Sequence, residues 1–111
     1  MSKIVTLNKN GYFLALYHRG KSSGDRLLVT YARRNRSKDT RFGITASKKI
    51  GNAVTRNRVK RVIRESFRQL YDEIDGTWDI VFVGRTATSL VKSGKVCASM
   101  RKQLVALGVI K

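Results

Sequence analysis

Between Arg41 and Arg64 the chain carries eight basic residues, Arg41, Lys48, Lys49, Arg56, Arg58, Lys60, Arg61 and Arg64, and no Asp or Glu. Such a stretch is suited to gathering phosphate oxygens. An arginine fork meets two oxygens at once and also stacks on bases, which favours nucleic acid over a membrane surface. An ordinary solvated helix face would intersperse acids at four-residue spacing, because like charges at that spacing destabilise a helix. Arg56, Lys60, Arg64 and Arg68 recur at that interval as successive like-charge neighbours. A second place for an anion is Lys48-Lys49-Ile-Gly-Asn, where a strand gives way to a helix whose first backbone N–H groups are free. It is not a nucleotide-binding loop, since the G-x-x-x-x-G-K-S/T spacing is absent.

The aromatic residues allow two readings. Phe13 and Tyr17 stand four apart on one helical face, and Tyr31 lies on a neighbouring strand. Core packing is the ordinary explanation, and a stacking platform for unpaired bases is the other. Composition does not choose between them.

No residues form a catalytic constellation. His18 sits beside Arg19 near a helix end and reads as a surface residue. Asp72, Glu73, Asp75 and Asp79 crowd a helix–strand turn, where capping and solubility explain them better than metal ligation. Ser47 has no nearby histidine in sequence, and a protein nuclease would need a carboxylate cluster or an acid–base pair. Cys97 and His18 together cannot supply a zinc set or a disulfide, so Cys97 reads as a small buried filler on a helix. The expectation is no catalytic residue and no protein-bound metal.

Composition sets the frame for these sites. The chain has 111 residues with 24 Lys+Arg against 7 Asp+Glu, a net charge of +17. That length supports one domain over 1–111 with a single modest core, which excludes multidomain enzymes. Hydrophobic residues make up 41 % of the chain, so the charge sits on a folded body that gains by meeting a polyanion. No apolar run approaches the roughly 18 residues of a membrane span, and the N-terminus does not read as a signal peptide, so a cytoplasmic protein is expected.

The elements that must position these residues follow from hydrophobic spacing. A first helix is predicted from a cap at Asn8 to Gly20, with Phe13, Leu16 and Tyr17 on one face. Strands are predicted over 26–32 and over Phe42, Ile44 and Ala46, separated by a basic loop at 33–39. A long helix capped by Asn52 runs to about Tyr71, burying Val59, Val62, Ile63, Phe67 and Leu70 and turning Asn57, Lys60, Arg61, Arg64 and Arg68 outward. After a turn at Asp75-Gly76, the run from Trp78 to Val83 suits a strand buried on both faces, and Arg85 sits at its exit. A last helix is expected from about Thr88, interrupted near Gly94. The order predicts an α/β layer with helices covering a small sheet.

The segment Arg41-Phe-Gly-Ile-Thr-Ala-Ser-Lys-Lys-Ile-Gly-Asn-Ala-Val-Thr-Arg-Asn-Arg-Val-Lys-Arg-Val-Ile-Arg closely resembles the signature of the bacterial ribonuclease P protein component. The likeness extends to Leu7-x-x-Asn-x-x-Phe13, Tyr17-x-x-Gly20 and Ile80-Val-Phe-Val-Gly-Arg85, and so covers nearly the whole chain. It implies a two-layer α/β (α+β) sandwich of about four strands and three helices, like a domain of a ribosomal protein. The implied β-α-β crossover is left-handed, opposite to what handedness statistics predict. It also implies a subunit of an endoribonuclease that removes the 5′ leader of precursor tRNA, with the chemistry in a large catalytic RNA that holds Mg²⁺ together with the substrate.

By the same resemblance, Arg56, Asn57, Arg58, Lys60, Arg61 and Arg64 dock on the catalytic RNA. Phe13, Tyr17, Tyr31, Ser47, Lys48, Asn52 and Arg85 line a cleft for the single-stranded leader, which favours the stacking role for the aromatics. Asn52 stands where some members carry Lys. The partners implied are the catalytic RNA and precursor tRNA, with no membrane and no small-molecule substrate. The alternatives are a structural ribosomal-type RNA binder without a substrate and, more weakly, a DNA-binding module that inserts its basic helix into a major groove.

Overall fold

The computed structural model of the chain describes residues 5–6 and 10–111, with side chains from residue 11 onward except that of Tyr12. In chain order the elements are β1 (Val5–Thr6), α1 (Asn10–Arg19), β2 (Lys21–Gly24), β3 (Leu28–Arg34), β4 (Arg41–Thr45), α2 (Ala53–Leu70), β5 (Trp78–Gly84) and α3 (Ser93–Ala106). Three 3₁₀ turns occupy Lys48–Ile50, Tyr71–Glu73 and Thr86–Leu90. The expected small sheet has five strands in the order β1-β4-β5-β3-β2, of which β1 is two residues long. β4 runs parallel to β1 and β5, whereas β3 runs antiparallel to β5 and β2. Helix α2 links the parallel neighbours β4 and β5 and so forms the expected β-α-β unit.

Alternation along the strands separates two cores. On one face Leu28, Ala32, Phe42, Ile80 and Phe82 pack with Val59, Ile63, Phe67 and Leu70 of α2 and with Val96, Met100 and Leu104 of α3. Gly84 continues that face. A Cβ there would stand 2.5 Å from Val59 Cγ1, so the missing side chain is what allows α2 to lie this close to the end of β5. A buried polar bridge also ties α3 to the sheet: Thr30 Oγ1 donates to Gln103 Oε1 at 2.7 Å, and Gln103 Nε2 donates to the Leu28 carbonyl at 2.9 Å. With both amide ends satisfied, the pair avoids the cost of an unpaired buried group.

On the opposite face α1 covers only part of the sheet. Leu16 and Val81 are buried there, flanked by Phe13, Tyr31 and Val83. The strand predicted from the Trp78 run is thus buried on both faces at Ile80, Val81 and Phe82.

Three expectations change. The last helix begins at Ser93, and residues 86–90 form a 3₁₀ turn instead. Its Thr88 hydroxyl donates to the Leu27 carbonyl and accepts from the Arg85 amide at 3.0 Å, which holds the backbone out of a helix. The polar segment at 21–24 forms β2, unforeseen because it lacks β-branched and aromatic residues, and it exists by pairing along β3. Cys97 lies on α3 as expected but is only partly buried, with its thiol 3.6 Å from Gln69 Oε1. The expected cap at Asn8 lies outside the described residues.

Candidate nucleic-acid interface

Helix α2 starts where the sequence placed its start. Asn52 is extended, and its Oδ1 accepts the Thr55 amide at 3.0 Å, an N-cap that satisfies one of the helix's free donors. From there 18 residues run on. Val59, Ile63, Phe67 and Leu70 are buried beneath them, and the outer face gathers Val54, Asn57, Arg58, Lys60, Arg61 and Arg64 along a groove of about 530 Å³. Five of the six residues expected to dock on an RNA therefore share one open surface. Exposed Val54 joins them, a residue that charge-based reasoning passes over.

Arg56 is set apart from the other five. It precedes Ile63 by seven residues, nearly two full turns, and so lies over the buried stripe. It is half-buried, and its Nε is buried without a hydrogen-bond partner.

The second surface lies at the carboxyl ends of the parallel strands β4 and β5, the place where open α/β sheets hold ligands. A depression of about 280 Å³ is lined there by Val29, Ser47, Lys49, Ile50, Val83, Gly84, Arg85 and Thr86. Val83 belongs also to the small core under α1, so the depression runs up to the aromatics. Tyr17 meets Tyr31 edge to face, with ring centroids 4.8 Å apart, and Tyr17 remains 38 % exposed. Partly open rings beside a basic depression can stack bases while cations meet the backbone.

Of the seven residues expected in the cleft, the structure brings Phe13, Tyr17 and Tyr31 together under α1, and Ser47 and Arg85 together in the depression. Lys48 is exposed on the 3₁₀ turn, and its neighbour Lys49 is the lysine that lines the depression. Asn52 spends its carbonyl oxygen on the cap. Sequence reasoning missed Val29 and Val83. Val29 shares the Tyr31 side of β3 by simple alternation, and Val83 sits directly across from it.

Acids take structural roles around these surfaces. Arg41 grips Asp79 through Nε and Nη2, both at 2.8 Å, and Asn35 Nδ2 donates to the same carboxylate at 2.9 Å. Glu73 is held by a two-point contact with Arg101, which keeps its carboxyl below the usual range. Among the described residues no group of three or more His, Cys, Asp or Glu stands where it could hold a metal. Nor, among them, is any helix long and apolar enough to cross a membrane.

Asp25 locks the β2–β3 turn. Its Oδ1 accepts the Leu27 amide at 2.8 Å and the Leu28 amide at 3.3 Å, and Ser99 donates to Oδ2. Burial pushes this carboxyl up, but the Ser99, Leu27, Leu28 and Gln103 contacts outweigh burial and hold it below its usual range. A depressed folded value contributes stability that is fully present above the unfolded value, about 4, and is lost as pH falls through the lower folded one. Asp25→Asn is therefore expected to flatten the acid side of the stability–pH curve, read by urea midpoints from neutral pH downward. An acid limb identical to that of the parent chain would contradict this account.

With this geometry in hand, the likenesses to known proteins are specific. The family model for ribonuclease P matches residues 1–108. The ribonuclease P protein component of Clostridium kluyveri is 37 % identical over 110 residues, covering 97 % of this chain and 98 % of that one. The solved structure of the Staphylococcus aureus RNase P protein superposes with a TM-score of 0.85 at 34 % identity, covering 98 % of this chain and 100 % of its own. That from Thermotoga maritima has a TM-score of 0.74 at 32 % identity, over 89 % of this chain and 91 % of its own. A match over nearly the full length, in sequence and in fold, shows that the chain belongs to the ribonuclease P protein family.

Proposed function

We propose that this chain grips two RNAs at once, the catalytic RNA along α2 and the 5′ leader of precursor tRNA in the depression beside α1. As a member of its family it is a subunit of the ribonuclease P endoribonuclease and works in tRNA 5′ maturation. The observation that carries the finer reading is the separation of the two surfaces: a helix face of clustered cations, and a depression where Lys49 and Arg85 lie beside partly open aromatic rings. A helix face suits the phosphates of a folded RNA, and the concave site suits unpaired bases. In this reading Mg²⁺ is held mainly by the catalytic RNA and the substrate. The protein's part is to neutralise phosphates, hold the leader and raise substrate affinity. Its place of work is the cytoplasm.

The test is leader dependence. In the reconstituted holoenzyme, Phe13→Ala is expected to weaken precursor binding by roughly 5- to 150-fold, the worth of about one stacked base. Affinity for mature tRNA and assembly with the catalytic RNA should be unchanged. Equal affinity of the parent holoenzyme for mature tRNA and precursor would overturn the assignment of the depression. A structural RNA binder without a substrate role predicts that equality.

A further inference from the structure

Arg85 and Thr86 line a second groove as well, of about 490 Å³, whose other walls are Arg26, Ala87, Leu90 and Val91. Two features of this groove serve no purpose in the fold. Leu90 is 77 % exposed, an aliphatic side chain left in water on a chain of net charge +17. Arg26 is exposed opposite it on the β2–β3 turn.

The groove is rigid. The turn that carries Arg26 is tied by Asp25 to the amides of Leu27 and Leu28 and to Ser99 of α3, and the Thr88 hydroxyl joins the Leu27 carbonyl to the turn that carries Leu90. The same bonds turn the Asp25 carboxylate toward the loop and α3, so the charges facing the groove are the guanidinium groups of Arg26 and Arg85. Arg85 Nη1 also reaches the Asp25 carbonyl at 3.5 Å. Two cations carried on tied turns beside an apolar wall suit one backbone and one exposed base or ribose face. An unpaired strand offers both, whereas a duplex hides its base faces.

We propose that this groove is a second RNA subsite, which takes leader nucleotides beyond those held in the depression. The inference rests on the reading that the depression holds the leader. Continuity argues for it, since Arg85 and Thr86 are common to both walls. The direction follows from size: the tRNA side of the leader ends in a folded body too large for this groove, which leaves the free 5′ side to occupy it.

The experiment compares mature tRNA with precursors carrying a short leader of about four nucleotides or a long one of about ten, bound to holoenzyme containing the parent chain, Leu90→Ser or Arg26→Gln. Both side chains are exposed, so neither substitution threatens folding. The parent should bind the long leader more tightly than the short one. Each variant should lose that gain, binding the long leader about ten-fold more weakly than the parent does, with short-leader and mature tRNA affinities unchanged. Parent-like affinity of both variants for the long leader would overturn the proposal. So would a parent that gains nothing from the longer leader, or equal weakening toward all three RNAs, which would assign the groove to the catalytic RNA. The reading of the depression stands or falls separately, on whether the parent prefers the short leader to mature tRNA.

Discussion

Replacing Arg58, Arg61 and Arg64 together by alanine is expected to weaken assembly with the catalytic RNA by about 100- to 1,000-fold near physiological salt. It should also flatten the dependence of log K on log salt by about two to three units. The three side chains line one groove on the outer face of α2, and each neutralised phosphate adds close to one unit to the slope through release of a condensed counterion. The loss should be specific to binding. Arg58 and Arg61, and Arg61 and Arg64, stand three residues apart, so removing them relieves like-charge repulsion and leaves the urea midpoint unchanged or slightly higher. Titrations of holoenzyme assembly at several salt concentrations decide the matter. An unaltered salt slope would mean that this face does not carry the RNA contact.

The opposite pattern is expected of Phe67→Ala. Phe67 is 1 % exposed, and its ring lies 4.8 Å from that of Phe42, 5.2 Å from Phe82 and 5.8 Å from Tyr71. It is the point where α2, β4 and β5 meet. Emptying that place removes the transfer free energy of the ring and leaves a cavity that three other rings cannot collapse to fill, a cost of about 3–5 kcal/mol. Domains of this size are stable by about 5–15 kcal/mol in total, so the substitution is expected to remove a large share of the stability. The urea midpoint should fall steeply at unchanged m-value, and the salt slope of the protein that remains folded should match the parent's. A loss below about 1 kcal/mol would mean that the rings repack and that the core is softer than its geometry suggests.

The parts of the fold that repeat were legible from the sequence. Helix α2 and its Asn52 cap, the buried strand β5 and the cationic outer face all rest on periodicities that tertiary contacts reinforce. The exceptions have local causes. The four-residue series Arg56, Lys60, Arg64, Arg68 looks like one line of charge, but each step advances about 40° beyond a full turn. The series therefore winds from the buried side of the helix, where Arg56 and Lys60 are partly covered, to the exposed side at Arg64 and Arg68. Whether Lys48 or Lys49 faces the depression was decided by a single 3₁₀ turn, too short to have a period. β2 and the turn that replaced the start of the last helix depend on partners distant in sequence, Tyr31 and Leu27, which no local pattern reveals. The aromatics stayed ambiguous because they do both things: Phe13 and Tyr31 pack on the small core, and the same packing leaves Tyr17 partly open to solvent.

Gly84 has a consequence for measurement as well as for packing. Because it carries no side chain, the backbone at the end of β5 is clamped directly under Val59, and the strand that ends in Arg85 and the helix that bears the cations become one rigid piece. Helix α2 then extends for about 27 Å from the edge of the depression. On the two-surface reading proposed above, a strand bound at one end and a folded RNA bound along the shaft would be held at a fixed offset, as by the two jaws of a caliper. That offset would follow from the close packing of α2 on the end of β5 at Gly84, and movement of exposed arginine side chains would not alter it.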